Sequence, residues 1–214
     1  MGVIRLGILG GFTGKVGTVI GSIVNGEAVI QAISENRSKG EPTALQELQR
    51  QKVIQVSKFL RPMLRYLQAS YQKDAIEQSE YNAAFAINVR QAIAVAADKP
   101  VIDYASAKVA HGNLPAKVHD AAVSVAQGSV TFRWTNNDIV FSADADDIML
   151  PLIFNTRLMQ AIFDLSTFSR MDERLTLPTP PQWAGDPFAA YLAISKADRS
   201  RVSNSIYLGI HNAQ

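Results

Sequence analysis

The rhythm of apolar and polar positions changes twice along the chain. Over residues 1–33, valine, isoleucine and threonine are interleaved with glycine. The β-branched residues Val16, Thr18, Val19, Ile20, Ile23 and Val24 favour extended backbone. Glycines stand at 7, 10, 11, 14, 17, 21 and 26. Their spacing would suit a small-xxx-small helix face, but each costs a helix about 1 kcal/mol relative to alanine. Asn25-Gly26 is the dipeptide of a two-residue hairpin turn. The pattern predicts a glycine-rich β-hairpin over 1–33, with strands at 15–24 and 27–33 that are apolar on both faces.

A polar linker, residues 34–42, separates this segment from a helical middle over 43–98. Leu45, Leu48, Val56, Phe59, Leu60, Met63, Leu64 and Leu67 fall near helical spacing, starting at Pro42 or Thr43. Pro62 predicts a kink or a division there. A second helix is predicted from about Ser79 to Ala97, with Ala84, Phe85, Ile87, Ala92, Ile93 and Val95 as its apolar positions. It ends before Asp98-Lys99-Pro100.

From residue 101 the period becomes two. Short β-type runs at 118–126, 129–135, 148–154, 174–177, 188–195 and 202–210 are separated by turn residues. Val130, Phe132 and Trp134 alternate along one of them, which places Trp134 in a core. The expected fold class is α+β: an N-terminal hairpin, a helical middle and a C-terminal antiparallel β-sandwich over 101–214.

Composition narrows the function classes. A chain of 214 residues with 47% hydrophobic and 19% charged residues is globular rather than disordered. With no cysteine it can form neither a disulfide nor a thiolate metal site. Arg5, Lys15 and Glu27 interrupt the apolar N-terminal stretch, so neither a signal peptide nor a transmembrane helix is expected. The net charge of +2 argues against a polybasic chain. Residues 35–73 are locally basic, with eight lysines and arginines against three glutamates. Arg50, Lys52, Lys58, Arg61 and Arg65 are the candidate phosphate contacts of that segment. A solvated helix face is the plainer reading of the same charges, since few aromatic residues for base stacking accompany them.

The motifs of common enzyme chemistries fail on spacing. Gly11-Phe12-Thr13-Gly14-Lys15 has Leu9 where a phosphate-binding loop needs its first glycine, and Val16 where it needs Ser or Thr. No G-x-G-x-x-G and no G-x-S-x-G occurs. His111, His119 and His211 form no local metal-binding pair, and no metal or cofactor is expected. Asp144, Asp146 and Asp147 lack the glycine and the later glutamate of a calcium loop, so they are read as a solvated turn. Trp183 follows Pro180-Pro181 in a loop; exposed on a flat face, it would suit carbohydrate.

Several segments together are similar to one family. They are GGFTGKVGTVIG at the start, LRPMLRY, YNAAFAINVRQAI followed by VIDYASAKVAHGNLP, GSVTFRWT, and RVSNSIYLGI at the end. The chain resembles an uncharacterised bacterial family of about this length, found in phage-rich and prophage-rich settings. The resemblance spans nearly the whole chain and implies no activity and no catalytic residues. Between Asn36 and Gln46 the match is looser, with Gly40-Glu41-Pro42-Thr43 inserted.

The expectation is therefore a non-enzymatic structural or assembly protein of a virion or phage-like particle, found there or in the bacterial cytoplasm. Its partners would be copies of itself or other particle proteins, without membrane contact. Lys15, Val16, Val19, Ile20, Val29 and Ile30 of the hairpin are the candidate interaction residues. A nucleic-acid-associated protein using the basic helix 43–69 and a carbohydrate-binding module are the alternatives.

Overall fold

The computed structural model describes residues 3–4, 11–24, 26–33, 41–75, 78–96, 99–116, 118–136, 146–165 and 167–214. The chain forms two compact units, Met1–Thr43 and Ala44–Gln214. The architecture is α+β, with the β-rich ends and helical middle that the sequence pattern predicts.

The first unit is an antiparallel sheet of four strands in sequential order: β1 (Val3–Ile4), β2 (Phe12–Val16), β3 (Val19–Val24) and β4 (Glu27–Ala32). The single strand predicted over 15–24 is in fact broken. The chain reverses at Gly17-Thr18, where Gly17 has φ +57°, and Val16 pairs with Val19 across the turn. A glycine at the first turn position supplies the positive φ that primed hairpin turns require. Val24 pairs with Glu27 across the next reversal, where Gly26 has φ +87°. Asn25 lies outside the described residues.

The register also sorts the two faces. Gly14 opposes Gly21, Val19 opposes Ala32 and Ile23 opposes Ala28. Residues opposite one another share a face, and faces alternate along each strand. Phe12, Val16, Val19, Ile23, Ala28, Ile30 and Ala32 therefore line one face with no polar side chain among them. The other face mixes Thr13, Lys15, Ser22, Glu27 and Gln31 with Ile20, Val24 and Val29. The sheet is amphipathic rather than apolar on both sides.

In the second unit, α1 (Ala44–Leu60) runs through a 3-10 turn, Arg61–Met63, into α2 (Leu64–Ser70). Pro62 lies in that turn, as its missing N–H and fixed φ require. α3 (Glu80–Gln91) starts at Ser79, whose side-chain oxygen accepts from the backbone N–H of Asn82 at 3.2 Å. It stops earlier than predicted. Ile93–Ala96 form β5, paired with β6 (Lys99–Ile102), and Ile93 faces Ile102 across the pair. The β-branched Ile93 and Val95 hold this stretch extended where a helix was expected.

Seven further strands make two sheets. β7 (His119–Ala126), β8 (Ser129–Thr135) and β11 (Arg174–Pro178) form one, in the order β11-β8-β7. β9 (Ile148–Asn155), β10 (Gln160–Phe163), β12 (Pro187–Ser195) and β13 (Ile206–Asn212) form the other, in the order β10-β9-β12-β13. β10 was not predicted. The run expected over 202–210 contributes its strand only from Ile206, with Val202 and Ser203 in isolated bridges.

The two central strands of the four-stranded sheet, β9 and β12, are buried on both faces. From β9, Met149 and Ile153 join the core shared with Phe132, Trp134, Leu175 and Leu177 of the three-stranded sheet. Leu150, Leu152 and Phe154 point the other way, onto Val56, Phe59, Leu60 and Met63 of the helical layer. β12 splits the same way, with Leu192 and Ile194 on one side and Tyr191 and Ala193 on the other. That is why IMLPLIFN and PFAAYLAIS read as continuous apolar runs rather than alternating ones. The layers are helix, sheet, sheet. The segments 43–98 and 101–214, distinct in sequence pattern, thus share one core.

Candidate interaction surface

The N-terminal sheet gathers the candidate interaction residues. Val16 and Val19 lie on the wholly apolar face with Ile30; Lys15, Ile20 and Val29 lie on the mixed face. The apolar face is uncovered: Val16 is 50%, Ile23 62% and Ile30 64% exposed. Its geometry depends on glycine. A Cβ at Gly21 would stand 2.2 Å from the carbonyl oxygen of Phe12 and 2.6 Å from its ring. Phe12 thus folds over Gly21, and no other residue fits beneath it. Among the described residues β4 is an edge strand, with one row of its backbone donors and acceptors unpaired by any strand of the sheet.

The basic helix residues divide. Lys58, Arg61 and Arg65 are exposed, one each on α1, the 3-10 turn and α2. Arg50 is exposed and lies 3.7 Å from Glu47, a surface pair of small energetic weight. Lys52 is half-buried. Arg50 and Lys58 carry the helix's basic surface, and Lys52 departs from it.

Other expectations of chemistry resolve into structure. Trp134 is 4% exposed, as predicted, and its Nε1 donates to the carbonyl oxygen of Arg170 at 2.9 Å. Trp183 is 1% exposed and its Nε1 donates to Gln160 Oε1 at 3.1 Å, so it offers no flat platform to a sugar. A proline-rich loop still packs its large indole inward because the core between the two sheets supplies apolar cover and Gln160 of β10 a polar partner. The aspartate cluster is not a solvated turn. Asp147 is 1% exposed, with Lys196 Nζ at 3.1 Å and Arg170 Nη1 at 4.0 Å, while Asp146 is exposed and Asp144 lies outside the described residues. A carboxylate is buried here because two cations from distant loops reach it. No signal in the local sequence marks that pairing.

The histidines are dispersed. His111 Nδ1 meets Asp74 Oδ2 at 3.0 Å, His211 Nε2 meets the carbonyl oxygen of Leu208 at 2.8 Å, and His119 sits exposed on β7. Among the described residues, no group of three or more histidines, cysteines or carboxylates is placed to hold a metal ion. Among them also, no helix is long and apolar enough to cross a membrane. Three buried phenols of the core are strongly perturbed. Burial pushes the phenols of Tyr66, Tyr71 and Tyr191 above their ordinary value, and each donates its hydroxyl to a backbone carbonyl.

Residues 11–209 match a family of unknown function, DUF6266. No curated protein gives a significant match to the chain.

Proposed function

We propose that this chain, which belongs to the family of unknown function DUF6266, is a non-enzymatic structural or assembly protein that associates through its N-terminal sheet. The observation that carries this reading is the uncovered face of Val16, Ile23 and Ile30 beside the open edge of β4. An apolar sheet face with a free edge is a template for a further strand. The occupant is a second copy of the same chain. Two β4 edges paired antiparallel about a two-fold axis would extend the sheet and set two such faces side by side. The wider setting is a virion or phage-like particle, supported by the sequence resemblance and by a fold suited to repeated lateral contact.

Light scattering on the full chain tests this. The wild type forms a defined oligomer, and Ile23→Asp/Ile30→Asp dissociates it while circular dichroism shows the second unit still folded. A wild type that is monomeric at all concentrations, or a double variant of unchanged mass, overturns the reading.

The exposed Lys58, Arg61 and Arg65 favour one rival, association with nucleic acid. Binding of that kind would weaken steeply with salt.

A further inference from the structure

The loop from Asp103 to Pro115 is fastened on both sides by polar contacts. Buried Asn88 on α3 donates to the carbonyl oxygens of Ala84 and Lys108 at 2.9 and 2.8 Å, and its Oδ1 accepts from Lys108 N–H at 2.9 Å. The Ser70 hydroxyl donates to the carbonyl of Val109 at 2.9 Å, and Tyr71 donates to that of Lys108 at 2.8 Å. Beyond these anchors the loop meets the connection between β12 and β13. A Cβ at Gly112 would stand 2.2 Å from the carbonyl oxygen of Val202, so glycine is what lets the two segments touch.

A cleft of about 230 Å³ lies where these segments meet the turn after α2. Lys73, Arg199 and Arg201 line it together with His111 and Asn113. The one carboxylate in its wall is Asp74, and that group is engaged by His111 Nδ1 at 3.0 Å. The ring of His111 also stacks on Tyr71. Arg201 donates from Nε to Asn113 Oδ1 at 3.0 Å and from Nη2 to the Asn113 carbonyl at 2.8 Å. Arg199 donates from Nη2 to the Leu165 carbonyl at 3.3 Å. These neutral acceptors orient the guanidinium groups and leave their charge uncancelled. Among the described residues, none of the three cations is ion-paired with a carboxylate.

We propose that this cleft binds the phosphate group of a small phosphorylated molecule. Three cations against one carboxylate leave a surplus of two positive charges, and a phosphate monoester carries about −1.5 to −2 at pH 7. A carboxylate ligand would neutralise only half of that surplus. Guanidinium forks suit phosphate oxygens, and a lysine adds a mobile point charge. The volume lies just below the usual range of ligand cavities, which suits a small group, and the three cations line one recess rather than a stripe. His111, held by Asp74, is a positioning residue in the wall.

Calorimetric titration of the full chain with inorganic phosphate, glycerol phosphate, acetate and a short single-stranded oligonucleotide tests this. Both phosphates bind at millimolar concentration or below, and acetate binds more weakly. Lys73→Glu weakens phosphate binding about tenfold or more, the lower end of what a hydrogen bond between charged groups contributes. Lys73 is exposed and holds no partner among the described residues, so the fold tolerates the change; Lys73→Gln is the milder second variant. Arg90→Glu, an exposed change on α3 outside the cleft, leaves phosphate affinity unchanged. Absence of phosphate binding overturns the proposal. So does acetate binding as tightly as phosphate, equal loss in Arg90→Glu and Lys73→Glu, or binding of the oligonucleotide alone.

Discussion

Raising the pH should unfold this protein through three tyrosines. Tyr66, Tyr71 and Tyr191 are fully buried. Tyr66 donates to the carbonyl of Leu150 at 3.0 Å, Tyr71 to that of Lys108 at 2.8 Å and Tyr191 to that of Tyr104 at 2.7 Å. Ionisation would leave each phenolate facing a carbonyl oxygen in the interior. Burial is the main cause of the raised values; Tyr71 adds to the effect at Tyr66, and Asp74 adds to it at Tyr71. The folded values lie above the unfolded value of about 10, so the stabilisation is complete below about pH 10. Above that point the unfolded chain releases protons that the folded chain keeps, and stability falls. Each phenol contributes a slope of about 1.4 kcal/mol per pH unit, so three together give about 4 kcal/mol per unit. Against a typical stability of about 5–15 kcal/mol, the fold is exhausted roughly one to four units above pH 10. Urea melts followed by circular dichroism, from about pH 8 to 11, measure the slope. Tyr66→Phe should reduce it by about 1.4 kcal/mol per unit. Tyrosinate absorbance should show these three phenols silent until the cooperative transition. Stability unchanged to about pH 11, or all six tyrosines titrating reversibly near pH 10 with the fold intact, would refute the reasoning.

Further outcomes follow from single contacts. Trp134→Ala should cost about 3–5 kcal/mol in a denaturant melt, because it empties the space between the two sheets and removes the indole's bond to the Arg170 carbonyl; a loss under about 1 kcal/mol contradicts the burial argument. Asp147→Asn should cost about 3–5 kcal/mol by setting a neutral amide against the buried Arg170 and the half-buried Lys196, read from the same melt. Gly21→Val should disorder the N-terminal sheet against Phe12 while leaving the second unit's melting temperature unchanged, which backbone NMR and calorimetry distinguish. Reversing Arg50, Lys52 and Lys58 to Glu should leave circular dichroism unchanged; loss of submicromolar DNA binding in that variant would rank the nucleic-acid reading first.

Local rules made much of the fold legible. The Val130-Phe132-Trp134 alternation marks a half-buried strand, and that is where Trp134 is found. Pro62 marks the break between α1 and α2. The misjudged segments are those where local signals compete. Ile93 and Val95 continue a helical period but pair as a strand, because a partner at Lys99–Ile102 is at hand. Gly17 reads as one glycine among many until the pairing of Val16 with Val19 makes it a turn.

The candidate surfaces were legible in unequal degree. Val16 and Ile30 could be found from β-branched residues beside turn glycines, since the apolar character of a strand is a local property. Which face is wholly apolar followed only from register, because a slip of one residue exchanges the two faces. The cleft of Lys73, His111 and Arg201 left no trace in the sequence at all, because its walls come from segments far apart in the chain. Composition and period are enough for the α+β class, most strands, the helical middle and the lack of cysteine. That Asp147 and Trp183 are interior, and that three cations share one recess, emerges only from the folded chain. Burial and charge pairing depend on which distant side chains arrive, and no local pattern encodes that arrival.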